Sequence, residues 1–236
     1  MMKSFFIGNL EVKLPIVQGG MGVGVSLSGL ASAVANEGGV GVISCAGLGL
    51  IHKGHGDFLQ NCIWGLQEEL RIAREKTTGI IGVNIMVALS NFADMARTAI
   101  AEKADIIFAG AGLPLDLPLY KTADSETKLV PIVSSARAAK VICEKWYLNY
   151  NYLPDAIVVE GPKAGGHLGF KKDQIFNESF SLEEILPGVI EIANSYKEIK
   201  QIPVIAAGGI STGSDISRLI NLGVSGVQMG SIFVTT

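Results

Sequence analysis

Eight short apolar runs, most separated by amphipathic helical spacing, constrain this chain more than any other feature. They are Pro15–Gln18, Val40–Ser44, Ile81–Met86, Ile106–Ala109, Val130–Val133, Ala156–Val159, Val204–Ala207 and Gly226–Met229. Each is bounded by glycine, proline or polar residues, and most are rich in Val and Ile, as buried strands are. Between them, Leu27, Leu30 and Val34 recur at helical spacing, as do Ile63, Leu66, Leu70 and Ala73, with Glu68 and Arg71 on the wet side. A third helix is predicted over Phe92–Lys103 with Asn91 as its cap. A fourth carries Ala138, Val141, Ile142 and Trp146. A fifth carries Ile185, Val189, Ile192 and Tyr196, with Pro187 in its first turn or bending it. Alternating strands and helices demand parallel pairing with right-handed crossovers, and continuous apolar strands demand burial on both faces. Eight such units predict an α/β fold, a (β/α)8 TIM barrel, over an open doubly wound sheet that uses the same alphabet. The chain stops at Val234-Thr235-Thr236, directly after the eighth run. The expectation is therefore one domain over 1–236, C-terminally incomplete and without its final helix.

Composition excludes several classes. Of 236 residues, 48% are apolar and 17% charged, against ~25% charged in typical soluble domains. No run approaches the ~20 apolar residues of a spanning helix, so buried strands account for the apolar content. Met1–Gly8 is too short and glycine-interrupted to read as a signal peptide. A net charge of −3 gives no basic field for nucleic acid or anionic membrane. Cys45, Cys62 and Cys143 are odd in number and far apart, and read as reduced thiols of a cytoplasmic protein.

The chemistry concentrates where strands end. The sixth run leads into Glu160-Gly161-Pro162-Lys163-Ala164-Gly165-Gly166-His167-Leu168-Gly169. Its glycines let backbone approach a flat or phosphorylated ligand. Its histidine carries a side chain that exchanges protons near neutrality. Barrels place their chemistry at this end of the strands. Gln18-Gly19-Gly20-Met21-Gly22-Val23-Gly24 follows the first run and is either a tight turn or a ligand contact; it lacks the acidic residue of a dinucleotide fingerprint. Asn84 is a polar residue near the end of an apolar strand and needs a partner, either protein, water or the edge of a heteroaromatic ring. Gly208-Gly209-Ile210-Ser211-Thr212 ends the seventh run and opens a helix capped by Ser211 or Thr212, and Gln228-Met229-Gly230-Ser231 ends the eighth. Loops at these two positions, with a helix N-terminus, form phosphate cradles in barrels. His52 and His55 lack a third ligand for zinc and read as a solvated loop. Lys163 either meets a phosphate or faces water.

Taken together, Pro15–Met21, Val83-Asn84-Ile85-Met86, Glu160–His167, Ile205–Ile210 and Val227–Gly230 resemble the nitronate monooxygenase family, formerly called 2-nitropropane dioxygenases. The resemblance covers essentially the whole chain in order. It implies an FMN-dependent TIM barrel that oxidises alkyl nitronates with molecular oxygen. It would place FMN against Gly20, Met21, Asn84, Glu160 and Gly165, with its phosphate at Gly209 and at Gln228, Met229, Gly230 and Ser231, and with Gly208 among the cofactor-binding residues. It makes His167 the catalytic acid/base, and no metal is implied. The chain departs from the family at Lys163, where glutamate is common, and at Ser231-Ile232, where Thr-Arg is common. An NADH-dependent enoyl-acyl carrier protein reductase and a non-catalytic phosphate-ligand barrel are the alternative readings, and a homodimer is left open.

Overall fold

The computed structural model describes residues 3–235; Met1, Met2 and Thr236, which enter the readings of both termini, lie outside them. Ten strands are present among the described residues. The first two, β1 (Phe5–Ile7) and β2 (Leu10–Val12), form an antiparallel hairpin about Gly8, whose φ of 60° favours glycine. The other eight close into a parallel barrel, in the order β10-β3-β4-β5-β6-β7-β8-β9. These are β3 (Ile16–Gln18), β4 (Val40–Ser44), β5 (Ile80–Met86), β6 (Ile106–Gly110), β7 (Lys128–Val133), β8 (Ile157–Glu160), β9 (Val204–Ala207) and β10 (Gly226–Met229). All eight expected runs are strands, three of them with the expected limits. The hairpin was not expected, because two three-residue strands carry too little period to read.

Two apolar layers hold the barrel. Inside, Val17, Val42, Phe108, Val130, Val158 and Ile205 fill the tube, and Phe5, Ile7 and Val12 join the same cluster. The hairpin thus plugs the N-terminal end, with the Phe5 ring against Gly226. Outside, alternate strand residues such as Ile43, Ile81, Ile107 and Val159 meet the helices. The helices are α1 (Ser28–Asn36), α2 (Leu48–Ile51), α3 (Phe58–Lys76), α4 (Phe92–Ala101), α5 (Ala136–Tyr150), α6 (Leu182–Asn194) and α7 (Gly213–Asn221). Fully burying one such side chain is worth roughly 1.5–3 kcal/mol, so both layers weigh heavily in stability. No helix among the described residues is long and apolar enough to cross a membrane.

The β6–β7 crossover, for which no helix was expected, holds a 3-10 turn, Leu117–Tyr120. Three local expectations change. Helix α4 ends before Lys103, which adopts a left-handed φ of 56°. Asn91 precedes α4, but its side chain makes no capping bond to the backbone. Pro187 lies in the second turn of α6, where it leaves the Glu183 carbonyl without the usual i+4 donor.

Candidate active site at the C-terminal mouth

Strand alternation decides which side chains reach the mouth. Counting up from the interior residues, Asn84 on β5, Glu160 on β8 and Gln228 on β10 are inward polar positions near the ends of their strands. Glu160 and Gln228 lie level, since each pairs with Ala207 of β9. Among the described residues, none of these three side chains has a hydrogen-bond or ion-pair partner, and each is only partly buried. Burial alone pushes the Glu160 carboxyl from 4.5 up to about 7. The ring of polar groups is therefore assembled and open to a ligand.

The first loop is held by Gln18, which faces away from the tube. Its Nε2 donates to the Gly19 carbonyl at 2.7 Å and to Ser26 Oγ at 2.6 Å, and its Oε1 accepts from Val42 N at 3.0 Å. Ser26 Oγ accepts in turn from Met21 N at 2.8 Å. Gly20 is pressed on Asn84: a Cβ added there would lie 2.3 Å from Asn84 Cβ. A Cβ on Gly230 would lie 3.5 Å from the Met21 sulfur, so the β3 and β10 loops abut. Gln18 and Ser26 thus position the loop, a role the sequence reading missed although Gln18 stood in its motif.

The β8 and β9 loops interlock in the same way. Gly208 and Gly209 take φ of 102° and 72°, a region where a side chain is strained. A Cβ on Gly208 would meet Ala164 N at 3.0 Å, and one on Gly209 would meet Lys163 Cβ at 2.9 Å. Among the described residues, the amides of Gly209, Ile210, Gly230 and Ser231 donate to no protein acceptor. Such a cluster of free N–H groups suits an anion. The N-terminus of α7 is different. Thr212 caps it, and Asp215 Oδ2 already accepts from Ser211 N and Thr212 N at 3.2 and 3.0 Å. The helix end itself is filled by a carboxylate, which moves any phosphate seat upstream into the loops.

Gly165 and Gly166 border open space, and His167 is exposed. His167 and Glu160 together line a cavity of about 810 Å³ beside the mouth. Its walls come from the ends of β6 and β7, the first turn of α5 and the β8–α6 loop. Ala111, left-handed at φ 54°, turns the chain at its rim. None of Gly20, Met21, Asn84 or Gln228 lines it. The structure therefore gathers the expected residues into two adjoining places, a mouth edged by glycine loops and a side cavity that holds His167, with Glu160 common to both. The cavity's apolar walls were not foreseen, since the β8–α6 loop carries no periodic signal.

Other candidates resolve into scaffolding. His52 is not solvated: its Nε2 lies 3.0 Å from Oε1 of buried Glu69, whose Oε2 accepts from Ser28 N at 2.7 Å at the start of α1. His55 stacks on Trp64. No group of His, Cys, Asp and Glu among the described residues could hold a metal ion. The three cysteines are free and buried, and burial raises all three thiols, Cys143 to about 12. Such thiols are poor nucleophiles.

A probable nitronate monooxygenase of Staphylococcus aureus strain MSSA476 is 26% identical over 263 residues, covering 96% of this chain and 66% of that protein. Its counterpart from strain Newman is 28% identical over 257 residues, with the same coverage. FabK from Thermotoga maritima superposes with a TM-score of 0.73 at 28% identity, over 95% of this chain and 60% of that one. Nitroalkane oxidase from Streptomyces ansochromogenes gives 0.68 at 22% identity over 94% of this chain and 66% of that one, a likeness of fold. The chain thus spans about two thirds of the length of the curated relatives it matches. The family model described as nitronate monooxygenase matches residues 3–236, and the chain belongs to that family.

Proposed function

We propose that the barrel mouth binds FMN and that the protein oxidises alkyl nitronates with molecular oxygen. One observation carries the reading: free amides on the β9 and β10 loops share the mouth with the unpartnered Asn84, Gln228 and Glu160 side chains. The amides of Gly209, Ile210, Gly230 and Ser231 would hold the phosphate. Asn84, Gln228 and the Glu160 carboxyl, which burial holds protonated up to about 7, offer the donors and acceptors that the edge of a flavin ring requires, and Gly20, Met21 and Gly165 give it room. A bound flavin supplies the electron relay between nitronate and oxygen.

His167 takes the α-proton of a nitroalkane, or donates a hydrogen bond to a nitro oxygen when the nitronate enters already formed. Two nitronates and one oxygen molecule then balance two carbonyl products and two nitrites. A positioned acid/base contributes about 10²–10⁴-fold. The test is nitrite release from propyl-2-nitronate in air by FMN-loaded protein, with the visible spectrum recorded first. His167→Ala at wild-type flavin content is expected to lose at least about tenfold in turnover. Unchanged turnover removes His167 from the chemistry, and a protein that stays colourless with FMN removes the flavin. The cavity's size also favours a second reading, NADH-dependent reduction of an enoyl thioester. Anaerobic bleaching of the flavin by NADH at catalytic rates would select it.

A further inference from the structure

We infer that the side cavity seats a long, uncharged tail of the substrate, so that the preferred nitronates are extended alkyl or arylalkyl species rather than small or carboxylated ones. The inference rests on the nitronate reading and narrows its substrate class. Three observations carry it. The first is size: about 810 Å³ lies in the range that drug-sized ligands fill, far beyond a two- or three-carbon nitroalkane. The second is position. The cavity avoids the flavin-facing residues Gly20, Asn84 and Gln228, yet it is bordered by Glu160 and His167. A molecule lying in it brings one end to those two residues and keeps the remainder away from the mouth.

The third is chemistry. Ile132, Val133, Leu168 and Ile185 supply aliphatic wall, and Phe170 and Phe180 meet edge to face at 6.5 Å between ring centres. No lysine or arginine lines the cavity among the described residues. Its acidic wall groups are Glu184 from α6 and Glu160 at the mouth, and its one imidazole is His167. A tail ending in a carboxylate would meet the exposed Glu184 carboxylate with no lysine or arginine lining the cavity to offset the repulsion. An apolar tail gains with every buried methylene.

The experiment takes the FMN-loaded full chain and measures nitrite release from the nitronates of nitroethane, 1-nitropropane, 1-nitrobutane and 1-nitrohexane, and from that of 3-nitropropanoate. Expected is a rise in kcat/KM of about fourfold per methylene through the series. The carboxylated compound should fall at least tenfold below 1-nitropropane. A flat or falling series, or a preference for the carboxylated compound, overturns the inference. Calorimetric titration of the same protein with the neutral nitroalkanes separates the two readings. If no nitronate is oxidised, the proposed reaction fails, but affinity that still tightens with each methylene upholds the cavity, and constant affinity overturns it. Ala138→Phe places a ring into the cavity wall and should reduce the advantage of hexyl over ethyl by at least tenfold. Should that variant fail to fold, the wild-type series alone decides.

Discussion

The Glu160 carboxyl offers a quantitative test of the mouth without any substrate. It sits at the end of β8 with no hydrogen-bond or ion-pair partner among the described residues, and burial raises it from 4.5 to about 7. His167 and Glu184 are the other titratable side chains on the same cavity, and Asn84 and Gln228 share the mouth. In the unfolded chain the group ionises near 4.5, while the folded protein holds the proton up to about 7. Between those values the native state binds more protons than the unfolded one, so stability falls as pH rises. The contribution is fully present below the unfolded value and lost above the folded one. The rise of 2.5 between the two values amounts to about 3 kcal/mol in total. Glu160→Gln keeps the shape and removes the titration. FMN-free wild type and variant should therefore be equally stable near pH 4.5, and the variant more stable by about 3 kcal/mol at pH 8. For a chain of this length that is a rise in melting temperature of roughly 6 °C or more. Urea unfolding at half-unit pH steps measures it. Parallel stability curves for the two proteins would refute the assignment of a buried, unpartnered carboxyl.

Three further perturbations probe the mouth. Gly20→Ala puts a methyl 2.3 Å from Asn84 Cβ; the displacement should cost about 1–3 kcal/mol of stability and weaken FMN binding measured by fluorescence quenching. Lys163 crosses Gly209 beside the free amides and has no ion-pair partner among the described residues. Lys163→Ala should weaken FMN about two- to fivefold at low salt, the range of an exposed pair, and leave riboflavin unchanged; equal losses for both flavins would place the lysine away from the phosphate. Asp215→Asn removes the negative charge at the start of α7 while an amide oxygen can still cap. FMN affinity should then rise by about two- to fivefold, and a fall would mean that the capping carboxylate shapes the seat more than it repels the phosphate.

How far this molecule can be read from its sequence follows from what each part has to satisfy. Barrel strands such as Val40–Ser44 and Val204–Ala207 are buried on both sides, so their apolar character is continuous and their limits fall where burial ends. Phe5–Ile7 and Leu10–Val12 alternate over only three residues each, and nothing in so short a span distinguishes a plug from a loop. The mouth was legible through its glycines, because Gly208 and Gly209 occupy backbone conformations that side chains strain to reach. The cavity was not. Phe170 and Phe180 line it from a loop without a period, and they converge with Ile185 of the expected helix only once β8 and α6 are packed. The helix end at Ser211-Thr212 shows the opposite failure. Its sequence reads correctly as a capped N-terminus, yet the residue completing the cap, Asp215, is the one that fills the expected anion seat. A helix start can bind a phosphate only if its own side chains leave the amides free. At this barrel's mouth that condition is met by the loops at Gly209 and Ser231 and not by the helix that follows the first of them.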